Sequence, residues 1–241
     1  MQKWIGILSQ FRRITVRGPR SARILSERGL AADVVGDPAL LLADPVPAAS
    51  FTSGLIGLNL GLAKAVWGRD PAVYLSPLTA FARKMIRRGW HIRLVSVNRA
   101  DHALSLEIAD RIGAGAEVFG NYTSVEALQS AIRPCHAFVG MKLHSVVFAA
   151  SVYVPALMLE YDPKCRDFQA LLGLEEQTVR VDRLDVADLI GRVERIALRR
   201  DEEQEALLGR VGGIRDGLVT EAKLVERLFR TPSGRGDELP P

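Results

Sequence analysis

From residue 55 onward, short apolar runs alternate with stretches in which apolar side chains recur at helical spacing. The runs at 55–60, 92–97, 116–119, 137–139, 156–159 and 178–181 read as strands. In 75–88 the apolar positions Leu78, Phe81, Ala82 and Met85 fall three or four apart, which predicts one helical face, and Gly89 ends it. Further helices are expected at 101–112, stopped by Gly113, and at 124–132, capped by Ser124. Shorter ones are expected at 146–151 and 168–172. The segment 185–198 places Val186, Leu189, Ile190, Val193 and Ile196 on one face. After the charged stretch 199–205, residues 207–229 read as a last helix weakened by Gly209, Gly212, Gly213 and Gly217. Strands alternating with helices predict an α/β lobe, a parallel sheet covered on both faces. Right-handed crossovers would make it Rossmann-like.

The first fifty residues carry less. Residues 14–16 and 34–35 read as small strands around a helix at 21–28, with Ser21 as N-cap and Gly29 as a left-handed C-cap. These elements make a partial N-terminal lobe. Residues 44–54 are rich in Pro, Ser and Gly and read as a linker. The expected organisation is therefore 1–50 as partial lobe and linker, 51–230 as the Rossmann-like lobe with its terminal helices, and 231–241 as a disordered tail.

The 241 residues, 48% of them hydrophobic, suffice for a sizeable core. The net charge of +4 is compatible with an anionic substrate or an acidic membrane face, although an ordinary basic surface is the simpler explanation. No dense Lys/Arg run with interleaved aromatics argues for nucleic acid. Cys135 and Cys165 are not in ligand spacing, and a reduced, cytoplasmic state is expected. The four histidines lack short metal-ligand spacing and no Asp-x-Asp occurs, so neither a metal nor another cofactor is expected. No apolar run approaches a membrane span, and the N-terminus does not read as a signal peptide.

Candidate chemistry gathers where strands end, the usual ligand edge of an open parallel sheet. Lys142, His144 and Ser145 follow one strand; Tyr161, Asp162 and Lys164 follow the next. An ordinary imidazole titrates at about 6.5 and suits proton transfer near neutrality, whereas an isolated histidine at such a junction is as readily a satisfied core residue. The helix expected to begin near Ser145 offers amides to an anion. Asn59 lies between Gly57 and Gly61 at the end of the first strand, a glycine pair that either admits a ligand or simply turns the chain. Asn98 ends another strand. Arg17 and Arg20 flank Gly18-Pro19, either facing a cleft or forming a basic surface loop. Asp37, before Pro38, is either a structural turn residue or a carboxylate facing a sugar.

Four ordered segments also carry a family resemblance: Val16-Arg17-Gly18-Pro19-Arg20-Ser21, Gly36-Asp37-Pro38-Ala39, Gly140-Met141-Lys142-Leu143-His144-Ser145, and a Pro-led strand ending in Tyr161-Asp162-Pro163-Lys164. Together they resemble the polysaccharide pyruvyl transferases. Many members have arginine where this chain has Lys142, which leaves a point charge in place of a two-pronged grip on a carboxylate. The resemblance implies a GT-B-like architecture in which most of the N-terminal lobe is missing from this chain. It implies pyruvyl transfer from phosphoenolpyruvate to a hydroxyl pair of a glycan or lipid-linked oligosaccharide in exopolysaccharide and cell-envelope biosynthesis. His144 would be catalytic, and Lys142 with Arg17 or Arg20 would hold the donor. Peripheral association with the inner membrane face and homo-oligomerisation are both compatible with it. The alternatives are a metal-independent glycosyltransferase of the same architecture, and a lobe that binds a ligand without catalysis.

Overall fold

The computed structural model describes residues 2–44, 50–61, 70–120 and 123–230. The chain begins with α1 (Gln2–Leu8), β1 (Thr15–Val16), α2 (Pro19–Ser26), β2 (Asp33–Val34) and a 3-10 turn, Pro38–Leu42. The larger part follows as β3 (Leu55–Asn59), α3 (Ala72–Arg87), β4 (His91–Val95), α4 (Arg99–Ile112), β5 (Ala116–Phe119), α5 (Val125–Ile132), β6 (Ala137–Gly140) and α6 (Leu143–Ser151). It ends with β7 (Ala156–Glu160), α7 (Pro163–Leu171), β8 (Thr178–Arg180), α8 (Val186–Leu198) and α9 (Arg200–Arg230).

The six later strands form one parallel sheet in the order β5-β4-β3-β6-β7-β8; β1 and β2 pair separately. Central strands β3, β6 and β7 are buried at every position, as a sheet covered on both faces requires. Alternate residues feed two cores. Ile56, Leu58, Val139 and Leu157 pack with apolar residues of α3, α4 and α8. Leu55, Phe138 and Met158 pack with those of α5, α6, α7 and α9. The chain runs outward from β3 to β5, crosses back, and runs outward from β6 to β8. The direction reverses between β3 and β6, whose registered partners Asn59 and Gly140 end the strands side by side. Ligands of open α/β sheets bind at such a reversal.

Several boundaries differ from those the sequence predicts. The expected helices at 101–112, 146–151 and 168–172 begin earlier, at Arg99, Leu143 and Pro163. All three first turns line the same edge and interleave polar residues with apolar ones, Leu143 and Cys165 being buried, so the apolar periodicity is broken there. Ser21 does not cap α2: Gly18 holds the N-cap position and Ser21 lies inside the helix. Gly29 has the expected positive φ, +75°. The stretch 199–205 and the glycine-rich segment after it form one unbroken 31-residue helix, α9. Its Leu207, Val211 and Leu218 are buried in the core that also holds Leu40, whereas nothing lies within 4 Å of a β-carbon built at Gly209, Gly212, Gly213 or Gly217. The glycines are on the open side, and tertiary burial outweighs their poor helix propensity. The expected tail 231–241 and positions 45–49 of the expected linker lie outside the described residues.

Candidate functional site

Asn59 organises the strand ends at the reversal. It is fully buried; its side-chain amide donates to the Val95 carbonyl at 2.8 Å, and its Oδ1 accepts from the Lys142 amide at 2.9 Å. The Met141 amide donates to the Asn59 carbonyl at 3.1 Å. One asparagine therefore ties β3 and the end of β4 to the loop that opens α6. It shapes the edge from inside and does not line the cleft.

Three helices start around this edge. α4 is capped by Asn98, whose Oδ1 accepts from the Asp101 amide, and α7 by Asp162, whose Oδ1 accepts from the Lys164 amide at 3.0 Å. α6 differs from both: Lys142 occupies its N-cap position, and no side chain caps it. The positive end of its dipole remains open to an external acceptor. His144 stands in its first turn, exposed, with its ring centroid 6.5 Å from that of Phe148. Ser145 is fully buried, and its hydroxyl donates to the Lys142 carbonyl at 2.6 Å, which holds the turn.

A cleft of about 540 Å³ opens here, with Arg17, Asn98, Lys142, His144, Tyr161 and Lys164 in its walls and Leu128 and Phe148 among its apolar contacts. Its cations are not equally available. Arg17 is 3.0 Å from the buried carboxylate of Asp37, which also accepts from the Ala39 amide. Lys142 lies 3.7 Å from Asp101, itself 1% exposed. Lys164 is 4.0 Å from Asp162, and both side chains are more than two-fifths exposed. Its ammonium also sits 5.1 Å from the centre of the Tyr161 ring. Burial pushes the Tyr161 hydroxyl up, against the opposing pull of Lys164. For Lys164 burial acts downward, but the hydrogen bond to Tyr161 and the charge of Asp162 outweigh it and the net shift is upward. Lys164 is thus a charged residue with a weakly held counter-ion.

The other expected site residues lie outside the cleft wall. Asp37 is a buried turn residue that holds Arg17. Arg20 is exposed, and its backbone amide, not its guanidinium, is engaged, by Asp167 at 2.7 Å. Asp162 is occupied as a helix cap. Asp101 belongs to the same strand end as Asn98; an acid three residues after such a cap is a recognisable helix-start pattern. A second cleft of about 450 Å³ lies at the opposite edge of the sheet, between α8, α9 and the turn before β8. Its arginines and glutamates are mixed and it contains no histidine, which leaves the first cleft as the candidate site.

Cys165 lies one turn into α7, close to the cleft but fully buried; burial pushes its thiol up to about 11 and that of Cys135 to about 12. Neither forms a thiolate near neutrality. The native protein should resist iodoacetamide at about pH 8 and take up two equivalents once denatured. Rapid labelling of the native protein, read by intact mass, would contradict this burial. Among the described residues no cluster of three or more His, Cys, Asp or Glu is arranged to hold a metal ion. No described helix is long and apolar enough to cross a membrane.

The family model for polysaccharide pyruvyl transferase matches residues 2–163, well over half of the sequence, which takes in three of the resembling segments and all of the fourth except Lys164. The chain belongs to this family. No curated protein matches it. Among solved structures, a mutant of S. aureus TarM in complex with fondaparinux, α-GlcNAc-glycerol and UDP aligns with a TM-score of 0.56 at 12% identity, over 95% of this chain and 46% of that one. The kitacinnamycin glycotransferase aligns at 0.55 and 16% identity, over 90% and 54%. A Thermobaculum terrenum O-GlcNAc transferase mutant aligns at 0.54 and 16%, over 90% and 44%. These neighbours are GT-B glycosyltransferases, and at such identities they establish the fold alone. This pyruvyl transferase family member spans about half the length of the structures it matches.

Proposed function

We propose that this chain transfers a pyruvyl group from phosphoenolpyruvate to two hydroxyls of one sugar in a surface polysaccharide or its lipid-linked precursor. The observation that carries the reading, beside family membership, is the uncapped N-terminus of α6 at the strand reversal, with His144 in its first turn. An anion of high charge density fits there: amides and helix dipole face it, and Lys164 supplies the most available cation, with Lys142 and Arg17 beside it. Phosphoenolpyruvate carries both a phosphate and a carboxylate and would use more than one of these groups.

The donor's methylene carbon takes a proton and becomes a methyl group, leaving positive charge on the adjacent carbon. One sugar hydroxyl attacks that carbon and loses its proton. The C–O bond to phosphate breaks, the second hydroxyl attacks in turn, and a cyclic ketal and inorganic phosphate result. Of the two hydroxyl protons, one balances the proton added to the methylene and the other leaves with phosphate or solvent. His144 moves these protons. Lys142, Lys164 and Arg17 offset the charge on phosphate and carboxylate as it redistributes. On this reading the reaction belongs in the cytoplasm, and a lipid-linked acceptor would bring the protein to the inner membrane face.

Titration of the purified chain with phosphoenolpyruvate, alongside a panel of nucleotide sugars, tests the reading. Saturable phosphoenolpyruvate binding, weakened about tenfold in Lys164→Ala and in Lys142→Ala, is the expected result. Nucleotide binding without phosphoenolpyruvate binding would move the assignment to a glycosyltransferase, a reading favoured by a neighbour of this fold that was solved with UDP. Binding of neither would leave a non-catalytic lobe.

A further inference from the structure

We propose that Asp101 is a positioning residue that fixes the Lys142 side chain along the floor of the cleft. The binding arm of its test rests on the phosphoenolpyruvate reading; the contact itself does not. Asp101 is 1% exposed in the first turn of α4. Its Oδ2 accepts from the Asn98 side-chain amide at 2.8 Å, while its own backbone amide donates to Asn98 Oδ1 at 2.9 Å. The other carboxylate oxygen stands 3.7 Å from the Lys142 ammonium, close enough for charge attraction though longer than a hydrogen bond.

An ordinary acid at this helix position reaches back to the backbone amide of the capping residue. Asp101 instead takes the cap's side chain and turns its second oxygen toward a lysine that belongs to another helix start, across the strand reversal. The lysine is held at its other end too, by the bond from its backbone amide to Asn59. Between these ends its stem passes over Gly61. A β-carbon built on Gly61 would overlap Lys142 Cε, so the path exists only because residue 61 has no side chain. A free lysine carries several rotatable bonds whose freedom is lost when it grips a ligand. Anchored at both ends, Lys142 has lost that freedom before the ligand arrives.

Asp101 also subtracts charge from the cleft, and this gives the proposal a test by sign. Were Asp101 only a counter-charge, Asp101→Asn would leave a more positive cleft and tighter anion binding. Were it only a helix cap, the variant would lower the melting temperature and leave donor affinity unchanged in the folded fraction. Positioning predicts that Asp101→Asn weakens phosphoenolpyruvate binding by about tenfold, despite the gain in positive charge. The double variant with Lys142→Ala should then bind no more weakly than Lys142→Ala alone.

The experiment pairs that titration with reductive methylation of the full chain, read at Lys142 by peptide mass spectrometry with Lys84 as internal control. Lys142 should label several-fold faster in Asp101→Asn, and likewise in Gly61→Ala, which displaces the stem from the other side without touching the acid. The atom to be displaced is the far end of a flexible side chain, so Gly61→Ala should fold. Unchanged Lys142 labelling in both variants, or phosphoenolpyruvate binding as tight as or tighter than wild type in Asp101→Asn, would overturn the proposal. If the unsubstituted chain binds no phosphoenolpyruvate, the functional reading fails, and the labelling rates still decide whether Asp101 holds Lys142.

Discussion

Alanine at position 144 should lower ketal formation from phosphoenolpyruvate by about two to four orders of magnitude, the usual worth of a positioned proton carrier. Donor affinity should change by no more than a few fold, and the melting temperature hardly at all. The reasoning is geometric. His144 is exposed in the first turn of a helix whose neighbouring positions are buried, so its side chain faces the cleft and not the core. Among the described residues its ring neighbour is Phe148, at 6.5 Å between centroids, a loose contact whose loss costs little stability. The split between turnover and binding is what separates a proton carrier from a binding residue. Comparable turnover in His144→Ala would remove His144 from the mechanism. A loss confined to donor affinity would recast it as part of the anion site. The measurement is phosphate release and ketal formation with a diol acceptor, beside a donor titration of the same preparation.

Asp167→Ala should cost about 2–4 kcal/mol of stability, a large effect for a substitution outside the apolar core. For a chain of this size that is a fall in melting temperature of roughly 5–12 °C. Asp167 is 6% exposed on α7, yet its carboxylate serves the start of α2: Oδ1 accepts from the Arg20 amide and Oδ2 from the Ser21 hydroxyl, both at 2.7 Å. A helix N-terminus needs an acceptor, and here it comes from a distant part of the chain. Gly18 lets the two approach, because a β-carbon there would collide with the carboxylate. The substitution removes both acceptors and leaves two part-buried donors, the Arg20 amide and the Ser21 hydroxyl, without this partner. It should also weaken donor binding, since Arg17 immediately precedes the helix start that Asp167 holds. Asp167→Asn, which keeps an acceptor, should lose less than half as much. A melting temperature unchanged in Asp167→Ala would show that solvent replaces this tertiary cap at no cost.

The same residues show how far the sequence could be read. Arg17-Gly18-Pro19-Arg20-Ser21 stood out as a motif, but its two arginines appeared equivalent, one on each side of a turn. In the structure only Arg17 enters the cleft, and the segment's glycine and serine serve to dock it on Asp167. No local pattern contains that information, because the partner lies on α7. Lys142 and His144 were legible, since a strand ending in polar residues marks the ligand edge of a parallel sheet. That the Lys142 charge is shared with Asp101, while Lys164 keeps a looser counter-ion, follows from which helix starts meet across the strand reversal.

Local pattern was enough to specify the alternation of strands and helices, the coverage of both sheet faces, and the two strand ends bearing Lys142, His144, Tyr161 and Lys164. These follow from periodicity of burial, turn residues, and polar residues that end apolar runs. Where each helix around the cleft begins was set by long-range packing, because those first turns mix polar residues, among them the buried Asp101 and Ser145, with apolar ones and so blur the periodic signal. Packing also makes α9 continuous, because burial of Leu207, Val211 and Leu218 outweighs four glycines that weaken the helix only locally. It further settles which polar side chains are spent on structure and which remain open to a ligand. Hydrogen-bond partners far apart in the chain make that choice, and only the folded arrangement brings them within reach.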